Sequence, residues 1–311
     1  MTIAELLLQL SDDDIEQGES KLGEFSHLSP EELQELRRVW PEMPPERRLR
    51  LIERMAELNS SRIDFYFDDV FTLALDDDLP AIRIAAIGGL FEHEGRDIIG
   101  PLIRALREDD DLGVRAASAL ALGRFAELAE ANRLRMADAK AVEVALADAV
   151  RDEAEATEVR ACAVQSIGAR SEPWVHDLIE EAYFSGNYRM KLGAVGAMAA
   201  SCDPAWLPAL LDDLDDDDPE MRFEAAMALG SIADEEAAPH LERLMEDDDE
   251  DVRLASVAAL GGIASTNGDG QALEILRSHL ADDDEDLRNW VETAIREALN
   301  FNDPFRLELD R

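Results

Sequence analysis

The chain has few of the residues on which most catalysis and most anchoring depend. Only Cys162 and Cys202 are cysteines among 311 residues, too few for a disulfide framework and suited to a reducing compartment with free thiols. No apolar run approaches the roughly 20 residues of a membrane span. The leucines before Leu10 carry a glutamate but no basic flank, unlike a secretory leader. Histidine occurs at His27, His93, His176, His240 and His279, and no two stand at metal-ligand spacing. Positive charge is scarce: 30 Lys and Arg face 71 Asp and Glu, a net charge of −41. Such a field repels nucleic-acid phosphates and anionic lipid headgroups. A cytoplasmic chain is expected, without nucleic-acid binding or membrane insertion. The 46% apolar content supplies a folded core.

What the sequence does contain is a repeat. The run Asp247-Asp248-Asp249-Glu250-Asp251-Val252-Arg253 leads into an alanine-rich stretch ending at Gly261, and Asp109 to Gly123 follows the same plan. The basic residue is a ruler: it falls at Arg83, Arg115, Arg160, Lys191, Arg222, Arg253 and Arg288, in steps of 32, 45, 31, 31, 31 and 35 residues. Each unit reads as two helices. The first has leucines at helical spacing, as in Pro239 to Met245; the second, after an acidic turn, is built from Val, Ile, Ala and Leu. On a helical wheel Val252, Ala255, Ser256, Ala259 and Leu260 share one side, which is the expected core face. In Asp218-Pro219-Glu220 the aspartate suits an N-cap and the proline the first helical position.

These spacings resemble the HEAT repeat, and more narrowly its short phycobilisome-lyase-like variety. The family's helix-A proline, turn aspartate and helix-B arginine are matched by Pro101, Asp109 and Arg115, by Pro208, Asp216 and Arg222, and by Pro239, Asp247 and Arg253. In each triplet the proline stands 14 and the aspartate six residues before the arginine. Asp77 with Arg83 and Asp282 with Arg288 keep the carboxylate interval. Ala154 and Ser185 replace the aspartate before Arg160 and Lys191, so the Asp–Arg ladder is expected to break there. The resemblance implies an all-α, right-handed solenoid of about seven helix pairs, with a helical cap at 1–62, repeats at 63–300 and a tail at 301–311. Stacking is required, because one helix pair cannot bury its apolar face alone. The segment around Trp40 and Pro45-Glu46-Arg47-Arg48 is similar to the leader of a bacterial HEAT group.

The acidic runs Asp76–Asp78, Asp109–Asp111, Asp215–Asp218, Asp247–Asp251 and Asp282–Asp286 all fall in turns between first and second helices. One aspartate per turn is expected to bond the arginine six residues on, and another to cap the following helix. The acidity also suits a salty cytoplasm, a GC-rich genome, or a docking edge for a basic partner. No run has the ligand pattern of an EF-hand calcium loop.

On the same wheel the residues one, four and five places after the basic ruler point away from the core, and through six units none is charged. Phe223, Leu254, Leu192 and Met227 are the first candidates for partner contact, Ile84 and Leu120 the second. An uncharged strip of this kind marks a binding groove for an apolar or amphipathic protein segment, bordered by the acidic edge. The competing reading buries these positions between neighbouring helices or in a homodimer.

No catalytic constellation emerges, and no cofactor or metal is expected. Glu92-His93-Glu94 invites comparison with deoxyhypusine hydroxylase, whose HEAT repeats hold iron with several His-Glu pairs, but here one pair stands alone. Cys162 fills an alanine-type position and Cys202 follows a second helix; neither has a recognisable base beside it. Gly88-Gly89 and Gly261-Gly262 follow no strand. HEAT-like alkylpurine glycosylases need a cationic groove that this charge does not supply. The leading expectation is a non-enzymatic interaction scaffold; the alternative is a bilin or tetrapyrrole lyase or chaperone of the phycobilisome-lyase type.

Overall fold

The computed structural model describes residues 2–10, 15, 19–61, 65–268 and 270–302, and among them every regular element is a helix. The chain forms two compact bodies, Met1–Ile167 and Gly168–Arg311. The first holds α1 (Ile3–Gln9), α2 (Glu19–Leu22), α3 (Pro30–Val39), α4 (Pro45–Ser61), α5 (Asp68–Ala74), α6 (Pro80–Gly89), α7 (Ile99–Glu108), α8 (Leu112–Glu130), α9 (Met136–Arg151) and α10 (Thr157–Ile167). The second holds α11 (Pro173–Tyr183), α12 (Tyr188–Ser201), α13 (Leu207–Asp213), α14 (Pro219–Ile232), α15 (Ala238–Leu244), α16 (Glu250–Asn267), α17 (Gln271–Ser278) and α18 (Glu285–Asn302). The tail expected at 301–311 lies almost wholly outside the described residues.

First and second helices differ because they are covered differently. The first helix α7 buries Ile99, Leu102 and Leu106, a one-sided stripe at helical spacing. Second helices are covered on more sides: α14 buries Met221, Ala225, Ala226, Ala228, Leu229 and Ile232, because it packs on α13 and on the second helices α12 and α16. Small residues permit that approach. A Cβ on Gly230 would lie 2.7 Å from the Cα of Ala259, so α14 and α16 touch backbone to backbone there. Asp218 caps α14 by accepting from the N–H of Glu220, with Pro219 in the first turn, and Asp249 accepts from Asp251 and Val252 to begin α16.

The N-terminal segment carries the same register. Arg48 stands three residues after Pro45, as Arg83 follows Pro80 and Arg222 follows Pro219, and α4 packs on α6. The Arg48 Nε lies 3.2 Å from Asp77 Oδ2 and Trp40 Nε1 donates to the same oxygen at 2.7 Å, all three residues being buried. The helix α4 and the turn before it thus give the first aspartate of the series a cation and an N–H donor.

Candidate functional site

The basic residue of several second helices joins its own turn to the next hairpin. Arg222 donates from Nη1 to the carbonyl oxygens of Asp216 and Asp217 at 2.9 and 3.2 Å, and from Nε and Nη2 to both carboxylate oxygens of Asp247 at 2.9 and 2.7 Å. Arg83 donates to the Asp77 carbonyl and, at 2.7 Å, to Asp109 Oδ1. The bond across six residues therefore runs to the main-chain carbonyl, and it recurs from Arg115 to Asp109, Arg253 to Asp247 and Arg288 to Asp282. The carboxylate itself faces the preceding hairpin's cation and accepts the N–H two residues on, as Asp216 does from Asp218 and Asp247 from Asp249.

Of the two positions that lack the aspartate, one is filled by a neighbour: Glu155 stands in at Ala154, and among the described residues no carboxylate does so at Ser185. Arg115 binds Glu155, one place after Ala154, through Nε and Nη2 at 3.0 Å each. Arg160 donates to the Val150 carbonyl at 3.0 Å. Lys191 reaches Asp213 at 2.7 Å and Asp216 at 3.4 Å. Sequence reasoning missed Arg48, Glu155 and Asp213; the proline three residues before Arg48 was the available signal. The electrostatics follow the contacts. The Asp218 N–H, with Lys191 and Arg222, holds Asp216 below the ordinary carboxylate range. Burial pushes Asp247 up, but Arg222 and the Asp249 N–H outweigh it and leave that carboxyl lowered. Burial likewise opposes the Lys191 charge, which Asp213 and Asp216 restore and raise.

The uncharged strip is narrower than the wheel implies. Residues four places after the ruler, Ile87, Ala119, Val164, Val195, Ala226 and Val257, are buried, which corrects the expectation that they point away from the core. They lie only about 40° round the helix from the ruler, on the flank turned toward the neighbouring second helix. The places one and five after it stay at least partly open, except that Ala116 and Ala161 are buried. Leu254, Met227, Leu120 and Ile84 are 40, 41, 42 and 37% exposed, and Leu192 and Phe223 are half-buried. In the second body Leu192, Phe223 with Met227, and Leu254 stand on α12, α14 and α16, which pack side by side. In the first body Ile84 on α6 reaches the start of α8, where its Cδ1 would sit 3.0 Å from a Cβ at Gly113.

His93 lies in the turn after α6, its Nδ1 2.6 Å from Asp68 Oδ2 and its Nε2 3.3 Å from Asp97 Oδ1. Its neighbour Glu94 pairs with Arg124 and Arg133, so His93 and Glu94 are both engaged with oppositely charged neighbours. Among the described residues no group of three or more His, Cys, Asp or Glu is arranged to hold a metal ion. Cys162 is half-buried, and burial, with Glu158 nearby, pushes its thiol up to about 11. Cys202 is exposed at the left-handed C-terminus of α12.

A family model described as HEAT repeats matches residues 68–151, 176–261 and 207–296, together more than half of the chain. The chain belongs to the HEAT-repeat family. Solved structures similar to it include YibA of E. coli, 19% identical over 78% of this chain and 96% of that one, with a TM-score of 0.45. Yeast importin-beta, Kap95p, is 13% identical over 83% of this chain and 39% of its own, with a TM-score of 0.48. Human deoxyhypusine hydroxylase is 18% identical over 87% and 96%, with a TM-score of 0.37. At such identities the likeness is one of fold. No curated protein sequence matches the chain. Among the described residues no helix of this HEAT-repeat chain is long and apolar enough to cross a membrane.

Proposed function

We propose that the chain is a non-enzymatic scaffold that captures an amphipathic segment of a partner protein on its second helices. Leu192, Phe223, Met227 and Leu254 form the main contact in the second body, with Ile84 and Leu120 as a second contact in the first. One observation carries the reading: uncharged residues at least partly open to solvent recur at two fixed places of the packed helices α12, α14 and α16, in a chain whose net charge is −41. Apolar side chains repeated in register on an otherwise charged surface favour an apolar face in the partner. The carboxylates of the adjoining turns favour a basic border on that segment and raise its encounter rate. The ladder of Asp77, Arg83, Asp109, Arg115, Asp216, Arg222, Asp247, Arg253, Asp282 and Arg288 serves to hold the helices at a fixed spacing beneath the strip.

The test is affinity capture with the full chain at low and high salt, with bound proteins identified by mass spectrometry. A Phe223→Ser/Leu254→Ser double variant is expected to lose the partner and keep its thermal stability. An undiminished partner yield from that variant sinks the reading, as does a stable homodimer in sedimentation that the same variant dissociates.

A further inference from the structure

At one place in the second body the acidic edge carries an aromatic ring instead. Seven residues before the ruler the other hairpins carry Asp76, Glu108, Glu153, Asp215, Glu246 and Ala281; before Lys191 the position holds Phe184. Phe184 is 72% exposed. Two of the chain's three tyrosines, Tyr183 and Tyr188, flank it, and the Tyr183 and Phe184 rings meet edge to face with centroids 4.9 Å apart.

This aromatic turn is held by hydrogen bonds, and its two tyrosines reach carboxylates of the next hairpin. Ser185 Oγ donates to the Ala182 carbonyl and accepts from the Asn187 N–H, Asn187 caps α12 through the Met190 N–H, and Gly186 takes φ +73°. Tyr183 donates to Asp213 at 2.9 Å and Tyr188 to Glu220 at 3.2 Å. Between Asp212 and Glu220 seven of nine residues are acidic, and Asp212, Asp215, Asp217 and Glu220 are exposed. A ring of this turn already takes a cation: Lys191 Nζ lies 5.3 Å from the centroid of Tyr183.

We propose that Phe184 is the docking platform for an arginine in a basic segment of a partner protein, with the exposed carboxylates of the next turn taking up the positive charge. The inference rests on the scaffold reading and deepens it, placing a polar anchor apart from the apolar strip. Asp215 already pairs with Arg243 and Glu220 with Arg189, so the counter-charge falls to Asp212 and Asp217. The exposed ring with these two carboxylates on the next turn offers a guanidinium a stacking face and its counter-charge together. Lysine, a compact and more strongly hydrated cation, gains less from the ring.

Fluorescence anisotropy of the full chain with labelled nona-arginine and nona-lysine tests it, in about 0.5 M salt, where bulk attraction is screened to a few ångströms. Nona-arginine is expected to bind more tightly. Phe184→Ala should weaken it about fivefold or more and erase the preference over nona-lysine, and Phe184→Leu should do the same while keeping apolar bulk. Phe91→Ala, at another exposed ring in the first body, and the Phe223→Ser/Leu254→Ser pair should leave this binding unchanged. Wild-type affinity in Phe184→Ala, equal affinity for the two peptides, or no nona-arginine binding overturns the proposal. So does sedimentation showing that Phe184 joins two copies of this chain. Because the strip variant is scored on partner capture, each reading can fail without the other.

Discussion

Arg222 grips both oxygens of the Asp247 carboxylate, 25 residues ahead, while its third nitrogen is held by the carbonyl of Asp216 behind. One side chain thus ties its own turn to the next, and both partners are largely buried. Asp247→Ala is expected to cost about 2–3 kcal/mol, since it strands a paired guanidinium and frees the Asp249 N–H. Arg222→Lys should cost less, about 1–2 kcal/mol, by losing the two-pronged contact. Urea denaturation measures both. A double variant no worse than Asp247→Ala alone would confirm that the two residues act as a pair.

Much of this arrangement is legible in the order of the residues. The basic ruler, the turn aspartates and the alanine-rich helices recur together, and stacking makes equivalent positions neighbours. What escapes is whatever depends on which neighbour arrives. Arg48 lacks the acidic turn that marks later hairpins, so apart from the proline three residues before it, its equivalence to Arg83 rests on Asp77 being beside it. Glu155 replaces an aspartate from one residue along, which a fixed interval cannot register. The burial of Val195, Ala226 and Val257 reflects the closeness of adjacent second helices, and a wheel drawn for a single helix contains no such neighbour.

That closeness separates two residues on one helix. Val257 is 1% exposed and Leu254 40%. Val257→Ala is expected to lower stability by about 1–2 kcal/mol through the lost methyls and the cavity left behind. Leu254→Ala, larger in removed volume, should cost less than about 1 kcal/mol because solvent already reaches its side chain. Thermal unfolding of the two variants side by side would show the order. A larger loss for Leu254 would place it in the core and remove it from the partner surface.

Two glycines should respond to alanine with opposite signs. Gly88, within α6, has no atom within 4 Å of an added Cβ, so Gly88→Ala is expected to stabilise by about 0.5–1 kcal/mol through helix propensity and reduced freedom of the unfolded chain. Gly230 gains the same propensity, but its Cβ would lie 2.7 Å from the Ala259 Cα and 3.0 Å from its Cβ. Relief requires α14 and α16 to part, so Gly230→Ala should destabilise by about 1–3 kcal/mol. Denaturant midpoints decide the signs.

Acid and base should loosen the fold through different residues. Asp216 and Asp247 titrate below the ordinary value of 3.8 in the folded chain. Their stabilisation is therefore complete above that value and is lost as pH falls through the lower folded value. His93 runs the other way. Its hydrogen bond to Asp68, with Asp97 on the far nitrogen, outweighs burial and raises its pKa above 6.5. Its contribution is full below 6.5 and disappears as pH rises through the raised folded value. Urea midpoints should accordingly decline on the alkaline side of 6.5, and His93→Gln should flatten that decline while leaving the acid limb in place. Asp247→Asn should do the converse, making the acid limb shallower. An alkaline decline that persists in His93→Gln would assign it to another group and detach the Asp68–His93–Asp97 contact from the stability of the first body.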